Sequence, residues 1–303
     1  MRERLLEVLC CPRTGSPFEL HEAQRVGGQI AGGWLVSRAT GARFPIGEGV
    51  PMLATDRRRE ARAQAGAGGR PAPVAAVPRR VGRRLEAVVD WLGERLLELH
   101  RPGAGAWVMQ AGEAAGEFAV ELATRHPELE VVALDDASSF SGEVTRAAGA
   151  LENLHLVAGS LHGAGLAPGR FSWLVAHQGF DAGTAPRQAF SGLARHVAAE
   201  GAVALQIEAA DFVRRCREEG SGSSVGRASL WGAASRLVAS GVLEGLLSEP
   251  TRSRLREVLL PPVGPRWGTA TLRSWFEEEG LTFSPHGEEW VFGKARAGRP
   301  VAT

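Results

Sequence analysis

Residues 108–117, VMQAGEAAGE, place the small residues Gly112, Ala114 and Gly116 at every second position behind Gln110. An apolar run leads into them, an amphipathic stretch, EFAVELATRH, follows, and a second apolar run, EVVALDD, ends in Asp135 and Asp136. Small residues in such a loop let a ligand approach the backbone, because no Cβ stands in the way. The unit is a strand, a tight loop, a helix and a strand that ends in acids, which is the shape of a cofactor-holding turn. The other residues with intrinsic chemistry are Cys10, Cys11 and Cys216. They are too few and too badly spaced for a disulfide framework, since adjacent cysteines rarely bridge each other, and a reducing compartment suits them.

The elements that must position the loop follow from periodicity. A lead-in helix, LEAVVDWLGERLLELH, carries Leu85, Val88, Val89, Leu92, Leu96 and Leu97 at helical spacing. Behind it alternate WVMQA, GEFAVELATRH, EVVALDD, a polar segment, NLHLVAG, FSWLVAHQ, FSGLARHVAAE and GAVALQIEA. Units of this length predict an α/β fold with a parallel sheet covered by helices on both faces. Right-handed crossovers bring the loops after successive strands to one edge, where ligands belong.

Composition narrows the function classes. The chain has 303 residues, 44% of them hydrophobic, enough for about two domains with real cores. Lysines and arginines number 35 against 34 acids, so nothing in the overall charge seeks nucleic acid or an anionic membrane. No run approaches the length of a membrane span and the start lacks a signal-peptide core, so a cytoplasmic protein is expected. Three zones are read along the chain: a small α+β domain at 1–56, an Arg/Ala/Gly/Pro-rich linker at 57–78, and the α/β domain at 79–303 with a helical insertion at about 211–268. The basic linker has no interleaved aromatics and reads as a solvated tether.

The first zone resembles the small zinc-ribbon-like activator subunit of tRNA and protein methyltransferases and its short bacterial relatives. LLEVLCCPRTGSPFEL, the later ARFPIGEGVPML and the gap between them carry the resemblance. A zinc ribbon needs four ligands, usually in two close pairs. Here Cys11 opens a pair whose second member is Thr14, and Ser37 stands where a later cysteine is expected. Neither hydroxyl replaces a thiolate, so no zinc is expected, and Cys10 reads as a small buried hydrophobe.

In order and spacing the third zone resembles the class I S-adenosylmethionine-dependent methyltransferases. The phrases that carry this are VMQAGEAAG, EFAVELATRHP, VVALDD, NLHLVAGS, GRFSWLVAHQGFD and the C-terminal LRSWFEEEGLTFSPHGEEWVFGKARA. The resemblance implies a Rossmann-like methyltransferase sheet and S-adenosylmethionine as cofactor. It places Gln110, Gly112, Ala114 and Gly116 in the cofactor loop, where Gln110 stands for an acid and Ala114 for a glycine. It gives Asp135 the ribose hydroxyls, Ser160 the adenine side, and His177 a place lining the methyl-transfer pocket, where it would orient an acceptor or take its proton. Two readings follow: methyl transfer to a small-molecule acceptor, or a binding or scaffold protein on the same fold that has lost the cofactor. A protein partner or a second copy of the chain is compatible with both.

Overall fold

The computed structural model describes residues 1–53, 79–112, 115–135, 140–161, 165–177, 186–206, 269–286 and 290–299. The linker read at 57–78 and the insertion at 211–268 lie outside these residues, as do Ala114, Asp136 and Cys216. The chain opens with a 3-10 turn, Glu3–Glu7, followed by an antiparallel sheet of β1 (Phe18–Val26), β2 (Gln29–Ser37), β3 (Arg43–Gly47) and β4 (Val50–Pro51) in sequential order. The turn closes after five residues because Val8 to Cys10 leave it to pair elsewhere. Leu9 bridges Leu166, the Cys10 N–H donates to the Gly165 carbonyl at 2.9 Å, and the Ala167 N–H donates to the Val8 carbonyl at 2.7 Å. Strand β1 was invisible to periodicity: beyond Phe18 its residues are mostly exposed, so it has no alternation to read.

The second sheet has seven strands in the order β10-β11-β9-β8-β5-β6-β7. These are β5 (Trp107–Ala111), β6 (Glu130–Asp135), β7 (Leu154–Ala158), β8 (Phe171–Ala176), β9 (Val197–Gln206), β10 (Ser284–His286) and β11 (Trp290–Lys294). Strands β5 to β9 run parallel, and β11 runs antiparallel to both β9 and β10. This is the Rossmann-like sheet that the sequence implied, with one reversed strand inserted near its edge. Five helices are described: α1 (Arg79–Leu99), α2 (Ala115–Arg125), α3 (Gly142–Ala150), α4 (Pro186–Ala194) and α5 (Thr269–Glu278). Two local expectations shift. HVAAE, read as the end of a helix, begins β9, because Val197 pairs with Phe171 and Glu200 turns the strand at φ 63°. The polar segment before NLHLVAG contains α3, whose first turn is capped by Ser141 Oγ accepting from the Val144 N–H at 3.3 Å.

Strand alternation divides the core into two layers. On one face Val108, Trp173, Val175, Ala202, Ala204, Trp290 and Phe292 pack under α1 and α2 through Val89, Leu92, Leu96, Ala119 and Leu122. On the other, Met109, Leu134, Leu174 and Val203 pack with Phe190, Leu272, Trp275 and Phe276, and the same layer runs on into Leu5, Val8, Leu9, Ile30, Leu35 and Leu53 of the N-terminal module. The module thus has no separate core. Its last described residues extend the large sheet: Met52 bridges Ala158 in parallel, and the Leu53 N–H donates to the Ala158 carbonyl at 2.7 Å. Gly165 must be glycine at this seam. It sits at φ +64°, and a Cβ there would lie 2.7 Å from Leu53 Cδ1 and 3.1 Å from the Cys10 carbonyl. On the far side Arg2 Nη1 and Gln29 Nε2 donate to the Ala148 and Gly149 carbonyls, satisfying the C-terminal end of α3 at 3.1 and 2.7 Å.

A partly buried polar row fastens the same seam. His155 Nε2 lies 2.8 Å from Glu130 Oε2, and Arg4 Nη1 reaches Glu130 Oε1 at 2.5 Å. Burial lowers the His155 pKa, the Glu130 carboxylate opposes this, and Arg2 and the chain's ammonium reinforce it. Burial alone would raise the Glu130 pKa, but His155, Arg4 and Arg2 together bring it below its usual value. His196, on the loop before β9, is pushed to about 3 by burial. In each case the folded pKa lies below the unfolded one, so the stabilisation is complete above the unfolded value and is lost as pH falls. We expect the urea midpoint to drop steadily below about pH 6.5, with His155→Gln removing part of the slope. A midpoint constant down to about pH 5 would contradict a neutral buried His155.

Candidate functional site

The candidate site lies where the strand order reverses. Chain order runs outward from β5 in both directions, through β6 and β7 on one side and β8 and β9 on the other, and ligands of such sheets bind outside the carboxyl ends at that point. Backbone bonds tie the strand ends together: Gly112 N–H to the Leu134 carbonyl at 3.1 Å, His177 N–H to the Ala111 carbonyl at 2.8 Å, and Gly159 N–H to the Asp135 carbonyl at 3.0 Å. Gln110, Gly112, Gly116, Asp135, Ser160 and His177 therefore come to one edge of the sheet, each at or just beyond a strand end or at a helix start. Ala114, named with them from the sequence, is outside the described residues.

Gly112 has φ 97°, as a tight strand-to-helix loop demands. Gly116 serves packing: a Cβ would stand 2.9 Å from Val144 Cγ1 and 3.1 Å from Phe140 Cδ1, so its absence lets α3 close on α2. Asp135 and Ser160 are half-buried at the ends of β6 and β7. In the first turn of α2, burial raises the Glu117 pKa and the nearby Glu143 adds to the shift.

His177 is the residue whose surroundings differ most from those expected. It is 1% exposed, and its Nε2 lies 2.6 Å from Gln110 Oε1. Phe118 stacks on the ring at 3.9 Å between centroids, and Trp290 closes its edge at 6.0 Å. Burial pushes the pKa down to about 3, opposed by the Gln206 amide at the end of β9, which forms no hydrogen bond to Nδ1. The imidazole is thus neutral at every physiological pH and works through fixed hydrogen-bonding positions. Phe118, Gln206 and Trp290 carried no sequence signal of their own. Strand parity would have found Gln206 and Trp290, which pair across β9 and β11 on the face that α1 and α2 cover.

In the N-terminal module the residues at the ribbon positions form a hydroxyl cluster. Thr14 Oγ1 and Ser16 Oγ are 2.9 Å apart, as are Ser16 Oγ and Ser37 Oγ. Burial acts to raise the Cys11 pKa, but hydrogen bonds from Thr14, Ser37 and the Arg13 and Thr14 backbone outweigh it and leave the thiol below its usual value. Burial raises Cys10 to about 11, as befits a small core residue. Among the described residues no three His, Cys, Asp or Glu side chains converge as metal ligands, and no helix is long and apolar enough to cross a membrane.

Comparison with known proteins separates the two sheets. Residues 2–49 match the Trm112p-like protein family. A UPF0434 protein of Caulobacter vibrioides is 42% identical over 57 residues, 19% of this chain and 75% of its own. Among solved structures, the CurJ carbon methyltransferase is 15% identical at a TM-score of 0.44, over 70% of this chain and 54% of that one, so this chain spans little more than half its length. The magnesium protoporphyrin IX methyltransferase of Synechocystis, solved with S-adenosylhomocysteine, is 13% identical at 0.43, over 79% and 95%. A chain from the complex of the Haloferax volcanii Trm112 methyltransferase activator with a protein assigned as a methyltransferase is 12% identical at 0.44, over 70% and 93%. Likenesses this distant transfer no activity, and the arrangement of the large sheet rests on its own strand order.

The burial of His177 has a direct spectroscopic consequence. Its ring nitrogens should keep the shifts of a neutral imidazole from about pH 5 to pH 8. A midpoint in that range would contradict the enclosed site.

Proposed function

The chain belongs, through its N-terminal module, to the family of Trm112p-like proteins, and on that premise we propose that its large sheet binds S-adenosylmethionine and transfers the methyl group to a small-molecule acceptor. The observation that carries this reading is Asp135, at the tip of β6 beside the Gly112 turn, where the strand order reverses. A carboxylate there accepts from both hydroxyls of a ribose. Gly112 supplies close backbone approach, Ser160 at the end of β7 takes the adenine side, and His177 stands at the end of β8 on the transfer side.

The bound cofactor would supply an electrophilic methyl carbon. The protein's part is alignment, holding the acceptor's nucleophilic atom about 3 to 3.5 Å from that carbon and in line. His177, enclosed and neutral, orients Gln110 in this scheme and takes no proton from the acceptor. One observation favours a binding protein without methyl transfer: Gln110 and His177 pair with each other and put no anion at the loop's first position.

Calorimetry with S-adenosylhomocysteine separates the readings. Asp135→Ala removes a charge-assisted pair of hydrogen bonds and should cost about 2 to 3 kcal/mol, roughly thirty- to a hundredfold in affinity. Binding that is unchanged in the variant would move the site elsewhere, and a wild type that takes no nucleoside would favour the binding protein. For the N-terminal module the reading includes no structural zinc. Protein purified without affinity metal should carry well under about one zinc per chain, and a stoichiometric ion would overturn that part.

A further inference from the structure

His155 is buried where the N-terminal module meets the large sheet. On β7 it shares its parity with Val157, on the layer that takes in Leu5, Val8 and Ile30 of the module, and it is 3% exposed. The Trp107 ring packs against it from β5 at 5.1 Å between centroids. Glu130, whose carboxyl stays below its usual value against the pull of burial, is ionised and can only accept. His155 Nε2, 2.8 Å from Glu130 Oε2, therefore carries the one proton of the neutral ring. Nδ1 is fully enclosed and has no hydrogen-bond partner among the described residues. A second proton would have to sit there, as a buried donor with nothing to accept it.

The charges around the ring oppose that proton as well. Glu130 faces it from β6, and Arg4 of the module pairs with the same carboxylate at 2.5 Å. Arg2 and the Met1 amino group face it from the start of the module, and Glu152, just before β7, acts on Arg2. Burial, with Arg2 beside it, lowers the Met1 amino group to about 6, so this group gains a charge of its own as pH falls through that value. Cations therefore outnumber carboxylates around His155 before it takes a charge. His196, whose Nδ1 lies 3.3 Å from the Ala167 carbonyl and which has Arg195 beside it, is held at about 3 by burial and stays neutral well below that point.

We propose that His155 is an acid-sensitive latch: charging it releases the N-terminal module from β7, bares the strand edge at Ala158 and leaves the rest of the large sheet folded. The inference goes beyond the methyl-transfer reading and does not depend on what the sheet binds. The seam is the weaker boundary. There the module's main chain is held through Leu53, Cys10 and Val8, whereas β7 pairs with β6 from Leu154 to Ala158. Burial keeps the docked ring below its ordinary value, so the released state binds more protons, and release gains up to about tenfold per pH unit below about pH 6.5.

Hydrogen exchange of the full chain at about pH 6.5 and about pH 5, each corrected for the intrinsic rate of amide exchange, tests the latch. On acidification, protection at Leu53, Cys10 and Ala167 should fall by at least about tenfold. The Met109 and Val132 amides, inside β5 and β6, should keep theirs. His155→Gln retains a neutral side chain beside Glu130 and cannot charge, so it should lose most of that fall, the remainder coming from the Met1 amino group. An equal fall at Met109 and Val132 overturns the inference, as does a seam fully protected at about pH 5. A His155→Gln seam that falls as far as the wild type's also overturns it. The wild-type pattern decides the matter even if the variant does not fold.

Discussion

A parallel sheet ends in an unpaired edge, and in this protein the first sixth of the chain covers it. Left bare, the carbonyl of Ala158 and its neighbours on β7 would present a template for pairing with another chain. The Leu53 N–H takes the Ala158 carbonyl, and Val8 to Cys10 pair with the segment at Gly165 to Ala167 that follows β7. The N-terminal module is thereby a structural extension of the large sheet, and their hydrophobic layers merge around Leu5, Val8 and Leu53. Roughly fifty residues without a disulfide bury too little surface to be comfortably stable alone, and this shared layer supplies what is missing.

That constraint reaches the candidate site. The module holds β7 by its edge, the loop after β7 at Gly165, and α3 by its last carbonyls through Arg2 and Gln29. Those elements flank β6, whose tip carries Asp135. Across β5, the other half of the edge is held from within, by the aromatic packing of Phe118 and Trp290 on His177. One side of the switch point is braced by a docked module and the other by a buried, uncharged imidazole. A site built on such strand ends keeps its geometry without depending on mobile loops.

The sequence made the large sheet legible because parallel strands are buried on both faces and read as apolar runs, as WVMQA and EVVALD do. It made the edge residues legible as well, since Gln110, Gly112, Asp135 and His177 terminate those runs. Three things escaped it. Strand β1 is exposed over most of its length and has no hydrophobic period. The β9 start at Val197 looked helical because HVAAE has helix-forming residues, and pairing to Phe171 overrode them. The Arg4–Glu130–His155 row and the Gln110–His177 pair join residues far apart in the chain, which no local pattern reports. His177 was legible as a polar residue at a strand end, while its neutrality depends on Phe118, Trp290 and Gln206, which only the fold brings near it.

Hydrogen exchange of the full chain with and without S-adenosylhomocysteine tests the central claim, a nucleoside site at the switch-point edge braced by the docked module. The ligand should slow exchange in peptides covering Gln110 to Gly116, the end of β6 at Asp135 and the end of β7 near Ser160. The Leu53 and Cys10 amides should be protected to the same degree as the β7 strand in both states. Unchanged exchange along the whole edge with saturating ligand, or fast exchange at Leu53 and Cys10 beside a slow β7, would contradict it.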